Sequence, residues 1–163
     1  MPALTETYVA GSGQGLTWGA AFGTEVQSLT ASNTAVQSSI VIDNSVVLDM
    51  YADLSLVFTS TATYGSGAYC WFFLYPLNQD GTTYGDNRYA TAASGLPVPF
   101  RQYFSGSIAF TQGTVTQTGI VTGILLPPSK FKFVILNPST AVNPTFPASG
   151  TNIYYRTYNR KVQ

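Results

Sequence analysis

The sequence predicts an all-β protein, an antiparallel β-sandwich for which the jelly roll is the favoured topology. From about residue 16 onward, short segments rich in β-branched and aromatic residues are separated by turn residues, at the spacing typical of sandwiches. No stretch repeats its apolar residues with a helical period. Prolines cannot donate a hydrogen bond to a β-ladder, and they gather in the expected loops, as at Pro127, Pro128, Pro138, Pro144 and Pro147.

The length of 163 residues suits one domain, which we expect to be preceded by an extended N-terminal arm. Residues 1–15 include the glycine-rich run 11–15 and have no periodic apolar pattern. We therefore expect them to be flexible, or held by a neighbouring subunit. Residues 16–163 are expected to form the single β-sandwich domain.

The first half of the chain contains strand candidates of different strength. Leu54, Leu56 and Phe58 alternate with polar neighbours, which predicts a strand with one buried face. Residues 24–37 fit either a short helix or a loop. The other early strands are expected at 16–22, 38–42 and 45–50.

The second half begins with the most apolar segment of the chain. Residues 68–75 are apolar on both faces, which predicts either a central strand covered on both sides or a strand whose second face meets another subunit. Residues 78–81 (Asn-Gln-Asp-Gly) then predict a tight turn. Later strands are expected at 102–111, 114–125, 130–136 and 152–158.

The few charged residues are segregated along the chain. They make up only 9% of the sequence, and seven acidic residues balance seven basic ones. Every acidic residue, from Glu6 to Asp86, precedes every basic one, from Arg88 to Lys161. This order favours docking of an acidic surface on a basic one, and a neutral, hydroxyl-rich exterior is typical of a subunit in a permanent complex.

The same composition argues against an enzyme. The chain has no histidine, which removes the Ser-His-Asp, Cys-His and histidine–metal arrangements. Asp49 and Asp53 are the nearest candidate acid–base pair, but four residues along a strand span roughly 13 Å, too far for glycoside hydrolysis. The loop 80–87 has oxygen ligands that suit calcium, yet a plain hairpin connection fits its spacing better. We expect no catalysis, no cofactor and no metal.

The remaining signals concern compartment and solubility. Cys70 is the only cysteine and lies in an apolar run, so we expect a buried thiol and no internal disulfide. The first thirty residues lack a basic segment followed by an apolar one, which predicts folding in a cytoplasm without a secretory signal. No apolar stretch reaches the roughly 18 residues of a membrane helix, so we expect no membrane partner.

Candidate contact residues lie on the aromatic strand and among the late basic residues. Aromatic residues, tyrosine among them, are enriched at protein interfaces. Lys130 and Lys132 share one face of a strand and are expected at a solvated or partner-facing edge. Basic residues this scattered make a weak nucleic-acid footprint, so we expect no nucleic-acid binding. The predicted interface residues are Tyr69, Trp71, Phe73, Tyr75, Lys130, Lys132, Arg156, Arg160 and Lys161.

Four features together resemble a known class of virion protein. They are the segment Asp49–Leu54 entering a strand, the aromatic strand Tyr69–Tyr75, the Asp80-Gly81 hairpin and the closing strand Asn152–Arg160. In these four features the chain resembles the jelly-roll decoration or cement proteins of tailed bacteriophages, which clamp the major capsid subunits.

The resemblance implies a non-enzymatic virion structural protein that is assembled in the host cytoplasm and stabilises the capsid shell. Its expected partners are the major capsid protein or other virion subunits, and it would form a homo-oligomer, a dimer or a trimer, with the terminal arm reaching a neighbour. The alternative is a glycan- or receptor-binding module of a tail fibre or lectin-like protein, with loop tyrosines and Trp18 or Trp71 stacking on sugar rings.

Overall fold

The computed structural model describes residues 6–10, 18–32, 36–85, 101–138 and 142–162, with the backbone alone for 6–10 and 160–162. Two short 3-10 helices, Thr24–Val26 and Arg101–Tyr103, accompany ten β-strands in these residues. The strands are β1 (Glu6–Ala10), β2 (Gly19–Ala20), β3 (Val36–Ser38), β4 (Ile42–Asp43), β5 (Tyr51–Thr59), β6 (Tyr69–Pro76), β7 (Phe104–Ala109), β8 (Thr116–Leu125), β9 (Lys130–Leu136) and β10 (Asn152–Val162).

The strands form two five-stranded sheets, and every pair is antiparallel. Sheet A has the order β1-β10-β5-β8, and β2 also pairs with β10. Sheet B has the order β3-β9-β6-β7, and β4 also pairs with β9. The prediction of an all-β fold built from antiparallel sheets is confirmed. In both sheets a strand from the end of the chain lies beside strands from its beginning.

The main core joins apolar side chains from both sheets. Leu54, Leu56 and Phe58 of β5, predicted to face inward, are at most 1% exposed. Each fully buried side chain of this size contributes about 1.5–3 kcal/mol to folding. They belong to the same cluster as side chains of sheet B, which include Cys70, Phe72, Phe131, Phe133 and Ile135.

A second, smaller core covers the other side of β6. Phe73 and Tyr75 are buried there together with Val134 and Tyr84. Since β6 lies between β9 and β7 and is buried on both faces at these positions, it is the doubly covered central strand that the sequence allowed.

The predicted strand at 45–50 is wrong. Residues 45–47 form a turn, because the Asn44 side chain satisfies the backbone that a strand partner would otherwise bind. Its Nδ2 donates to the carbonyl of Asp49 at 2.8 Å, and its Oδ1 accepts from the backbone N–H of Asp49 at 2.9 Å. Leu48 has a φ of 55°, a left-handed conformation that non-glycine residues adopt at a cost.

Part of the segment predicted as an arm is a strand. Glu6–Ala10 forms β1 and pairs with the end of β10, from Glu6 opposite Val162 to Ala10 opposite Tyr158. Residues 1–5 and 11–15 of that segment lie outside the described residues. Where the structure describes the chain, no helix has the length and apolar character needed to cross a bilayer.

Candidate interaction site

An ion pair on sheet A joins the acidic half of the chain to the basic half. Asp53 and Arg156 are direct cross-strand partners on β5 and β10. The Nε and Nη2 atoms of Arg156 both donate to Oδ2 of Asp53, at 2.9 and 2.8 Å. The Asp53 side chain is only 4% exposed, so this pair is shielded from water on the carboxylate side.

The second oxygen of Asp53 is also satisfied. Its Oδ1 accepts from the hydroxyl of Tyr158 and from the backbone N–H of Gly123, both at 3.0 Å. A register shift places Gly123 in a bulge of β8, and a bulge frees a backbone N–H that needs another acceptor. Arg156 in turn lies over the Trp18 ring, 4.7 Å from its centre. Asp53 therefore links β5, β8 and β10, and both of its oxygens accept hydrogen bonds from these strands.

The two predicted contact residues on β9 also have neighbours within the chain. Lys130 lies directly opposite Asp43 of β4 and forms an ion pair with it at 3.6 Å. Lys132 is 4% exposed, and its Nζ lies 5.0 Å from the centre of the Tyr84 ring. Burial lowers the pKa of Lys132 from its ordinary value. The expectation of a solvated edge is wrong for Lys132, because β9 is an interior strand between β3, β4 and β6.

These pairings give the charge order of the sequence an intramolecular explanation. Early acidic residues meet late basic ones because β4 pairs with β9 and β5 pairs with β10. Arg156 and Lys130 are thus engaged by the chain's own carboxylates. The backbones of Arg160 and Lys161 lie opposite Tyr8 and Thr7 of β1, and their side chains are outside the described atoms.

The predicted aromatic contact residues divide into two groups. Phe73 and Tyr75 are buried, 2% and 0% exposed, so neither presents a ring to a partner in this conformation. Tyr69 and Trp71 are half-buried, and their rings lie 5.4 Å apart. Trp71 also makes an edge contact with the exposed Phe104 of β7 at 6.5 Å.

Among the residues that the structure describes, the most exposed large apolar side chain, Val46, lies elsewhere, in the segment before β5. Within residues 40–50, which we call the apolar segment, five large side chains are between 45% and 85% exposed. They are Ile40, Val41, Val46, Leu48 and Met50. The sequence signal for this surface is present, since 38–42 and 45–50 are apolar runs. It predicted strands instead, because apolar character alone does not distinguish residues of a core from residues that face a partner.

A cleft of about 230 Å³ opens beside the apolar segment. Aliphatic and polar side chains line it together: Val41, Ile42, Asp43, Asn44, Val47, Asp49, Tyr155 and Thr157. Asp49 is 2% exposed, and its Oδ1 accepts a hydrogen bond of 3.0 Å from Nδ2 of Asn159. Its Oδ2 is buried and has no hydrogen-bond partner. Asp49 and Asp53, considered above as an acid–base pair, belong to separate hydrogen-bond networks.

A larger and more open cleft of about 470 Å³ lies where β6 and β7 approach the end of β8. Its walls are mostly apolar, and the exposed Phe104 and Leu125 contribute to them. In the described parts of the chain, no group of three or more histidine, cysteine or acidic side chains is placed to hold a metal ion.

Comparison of the chain with models of known protein families and with curated protein sequences finds no match.

Proposed function

We propose that this chain is a non-enzymatic structural subunit of a virion, a decoration or cement protein that binds a capsid shell and stabilises it. The observation that carries the proposal is the apolar segment, in which Val46 is 85% exposed and four further large apolar side chains lie within six residues of it. Apolar surface of this kind is stabilised when a partner covers it, by about 25 cal/mol for each Å² removed from water.

The fold proposed for this subunit is a jelly-roll sandwich. The strand order supports it when β1 and β2 count as one strand and β3 and β4 as another, since each of these pairs flanks the same neighbour. Of the eight resulting strands, sheet A contains the first, last, third and sixth, and sheet B the second, seventh, fourth and fifth. This order is that of two Greek keys wound together, as in the jelly rolls of viral capsid and lectin domains.

A fold of this type serves several functions, so the choice between them depends on the features of the surface. Structural subunits act by covering area on several neighbours at once, which turns modest contacts into a durable clamp. The apolar segment provides such area, and the nearly neutral exterior gives little charge repulsion against a neighbouring copy. A dimer or trimer bound to the major capsid protein or another virion subunit is the assembly that we propose.

The glycan-binding alternative has less support from the aromatic side chains. Tyr64 and Tyr84, both beside turns, are 0% and 6% exposed and offer no ring face to a sugar. Trp18 already has Arg156 over its ring, and Trp71 is half-buried among other aromatic rings. Sugar recognition by stacking needs an open aromatic face, and Tyr64 and Tyr84 do not supply one.

Immunogold electron microscopy with antibodies to the purified chain tests this proposal. We expect gold on the surface of intact phage particles from the host that makes the chain, and loss of the label when the protein is stripped from them. Purified particles that carry neither the label nor the chain on a denaturing gel would contradict the proposal. Label confined to fibre tips would support the receptor-binding alternative instead.

A further inference from the structure

Two deeply buried carboxylates, those of Asp49 and Asp53, differ in their hydrogen bonds. Asp53 receives hydrogen bonds on both oxygens, from Arg156, Tyr158 and Gly123. Asp49 is as deeply buried, 2% against 3% exposed, yet only its Oδ1 has a donor. A buried carboxylate oxygen that accepts no hydrogen bond is destabilising. Oδ2 of Asp49 is therefore a candidate acceptor for a donor from another molecule.

The surroundings of Asp49 define the chemistry of that donor. Val41 and Val47 contribute aliphatic walls to the cleft, while Asn44 and Thr157 contribute polar ones. Lysine and arginine combine an apolar stem with a cationic head, and they place the stem against apolar surface while the head meets a carboxylate. A cleft with both kinds of wall fits a side chain of this type better than it fits an apolar residue or a sugar.

Three basic side chains in the described part of the chain are engaged elsewhere. Lys130 pairs with Asp43 and Arg156 with Asp53, while Lys132 lies over Tyr84. In the described part of the chain, no basic side chain pairs with Asp49. Charge complementarity therefore indicates a cation supplied by another molecule.

The cleft is also continuous with the apolar segment, since Val41 belongs to both. Protein interfaces commonly place a few buried anchor residues within a ring of energetically near-neutral contacts that exclude water. A basic anchor in the cleft, surrounded by side chains such as Val46 and Leu48, reproduces that arrangement.

We propose that the cleft beside Asp49 binds a lysine or arginine side chain of a neighbouring protein subunit, with the ammonium or guanidinium group donating to Oδ2 of Asp49. The inference rests on the proposed assembly function and names the chemistry of its partner. The anchor supplies specificity and register, and the apolar segment supplies the area.

Nuclear magnetic resonance of the full chain tests the site with two small probes. The first is N-acetyl-arginine methylamide, and the second is its citrulline analogue, which has the same shape without the charge. We expect saturable shifts of the amides of Asn44, Asp49 and Thr157 with the arginine probe, and affinity at least about tenfold weaker for citrulline. Equal responses to the two probes would overturn the proposal without any variant.

A matched pair of variants locates the contact. Asp49→Asn keeps an oxygen for Asn159 but loses the charge, and it should abolish the response to the arginine probe. Asp80→Asn removes an exposed carboxylate outside the cleft and should leave the response unchanged. A response unchanged in Asp49→Asn would overturn the proposal. So would saturable calcium binding at these residues without a response to arginine, because the site would then be a metal site. If the arginine probe does not bind but immunogold labelling still finds the chain on particles, this site is rejected and the assembly function stands.

Discussion

Arg156 donates two hydrogen bonds to one oxygen of Asp53, a residue 103 positions earlier in the chain. The two residues are direct partners across β5 and β10, the central pair of sheet A. Oppositely charged residues at such positions stabilise the pairing of their strands and define its register. The ion pair thus helps hold the last strand of the chain inside the sheet.

Removing the charge of Asp53 should destabilise the fold. In Asp53→Asn, Arg156 loses its ionised partner, and the new amide group donates where the chain also offers only donors. We expect the free energy of unfolding to fall by about 2–4 kcal/mol. Urea denaturation followed by tryptophan fluorescence measures it.

Asp43→Asn is the control for that experiment. Asp43 also faces its basic partner across two strands, but both side chains are about half exposed, so solvent screens the attraction. We expect a much smaller loss than in Asp53→Asn. Equal losses in the two variants would mean that burial of Asp53 adds nothing.

Gly85 should tolerate no side chain. A Cβ atom there would lie 1.7 Å from Cδ1 of Tyr75, whose ring is completely buried, and φ is +56°. We expect Gly85→Ala to lower the free energy of unfolding by about 3 kcal/mol or more. Gly81→Ala is the control, since φ there is +70° but a Cβ would meet no atom within 4 Å. Its loss should be about 1 kcal/mol, and similar losses in both would show that Tyr75 moves aside.

Asp80 should titrate at unusually low pH. Hydrogen bonds from the Thr83 side chain, the Thr83 N–H and the Thr82 N–H hold its pKa at about 2. Because this pKa lies below the unfolded value of about 3.9, the carboxylate's contribution to stability is complete above pH 4 and is lost as pH falls toward 2. Carbon-detected titration of the Asp80 carboxyl group tests this. A midpoint near 4 would contradict the hydrogen-bonded turn.

Cys70 should be unreactive in the folded chain. It is completely buried in the main core, and burial raises the pKa of its thiol, so little reactive thiolate forms. We expect a disulfide reagent such as dithiobis-nitrobenzoate to modify it only at the rate of unfolding, with the rate rising across the urea transition. Rapid modification of the native protein would show that the core around β6 opens locally.

The local patterns of the sequence predicted much of the fold. The alternation of Leu54, Leu56 and Phe58 gave the buried face of β5, and the doubly apolar segment 68–75 gave a central strand. The turn at 78–81 is present, with the N–H of Gly81 bonded to the carbonyl of Asn78 at 3.0 Å. These features depend on neighbours in sequence, which is why periodicity reveals them.

The candidate site was not predictable in the same way. Residues 45–50 form no strand because the Asn44 side chain forms hydrogen bonds to the backbone across the turn. A polar residue before an apolar run is common, so the sequence does not predict these bonds. Lys132 is buried because strands distant in sequence flank β9. The segregated charges suggested two surfaces, yet Asp43 meets Lys130 through the pairing of distant strands. Long-range pairing decides the burial of Lys132 and the contact of Asp43 with Lys130, and it has no local signature.

Particle binding by two charge-insertion variants tests most directly whether the apolar segment holds this protein in its assembly. Val46→Glu places a charge in the segment, and Val115→Glu places one on a similarly apolar, 42% exposed residue outside it. Stripped particles are incubated with each purified variant, and bound protein is measured on gels after sedimentation. We expect Val46→Glu to bind at least about tenfold more weakly than the unmodified chain, and Val115→Glu to bind like it. Full occupancy by Val46→Glu would show that the segment does not face the particle.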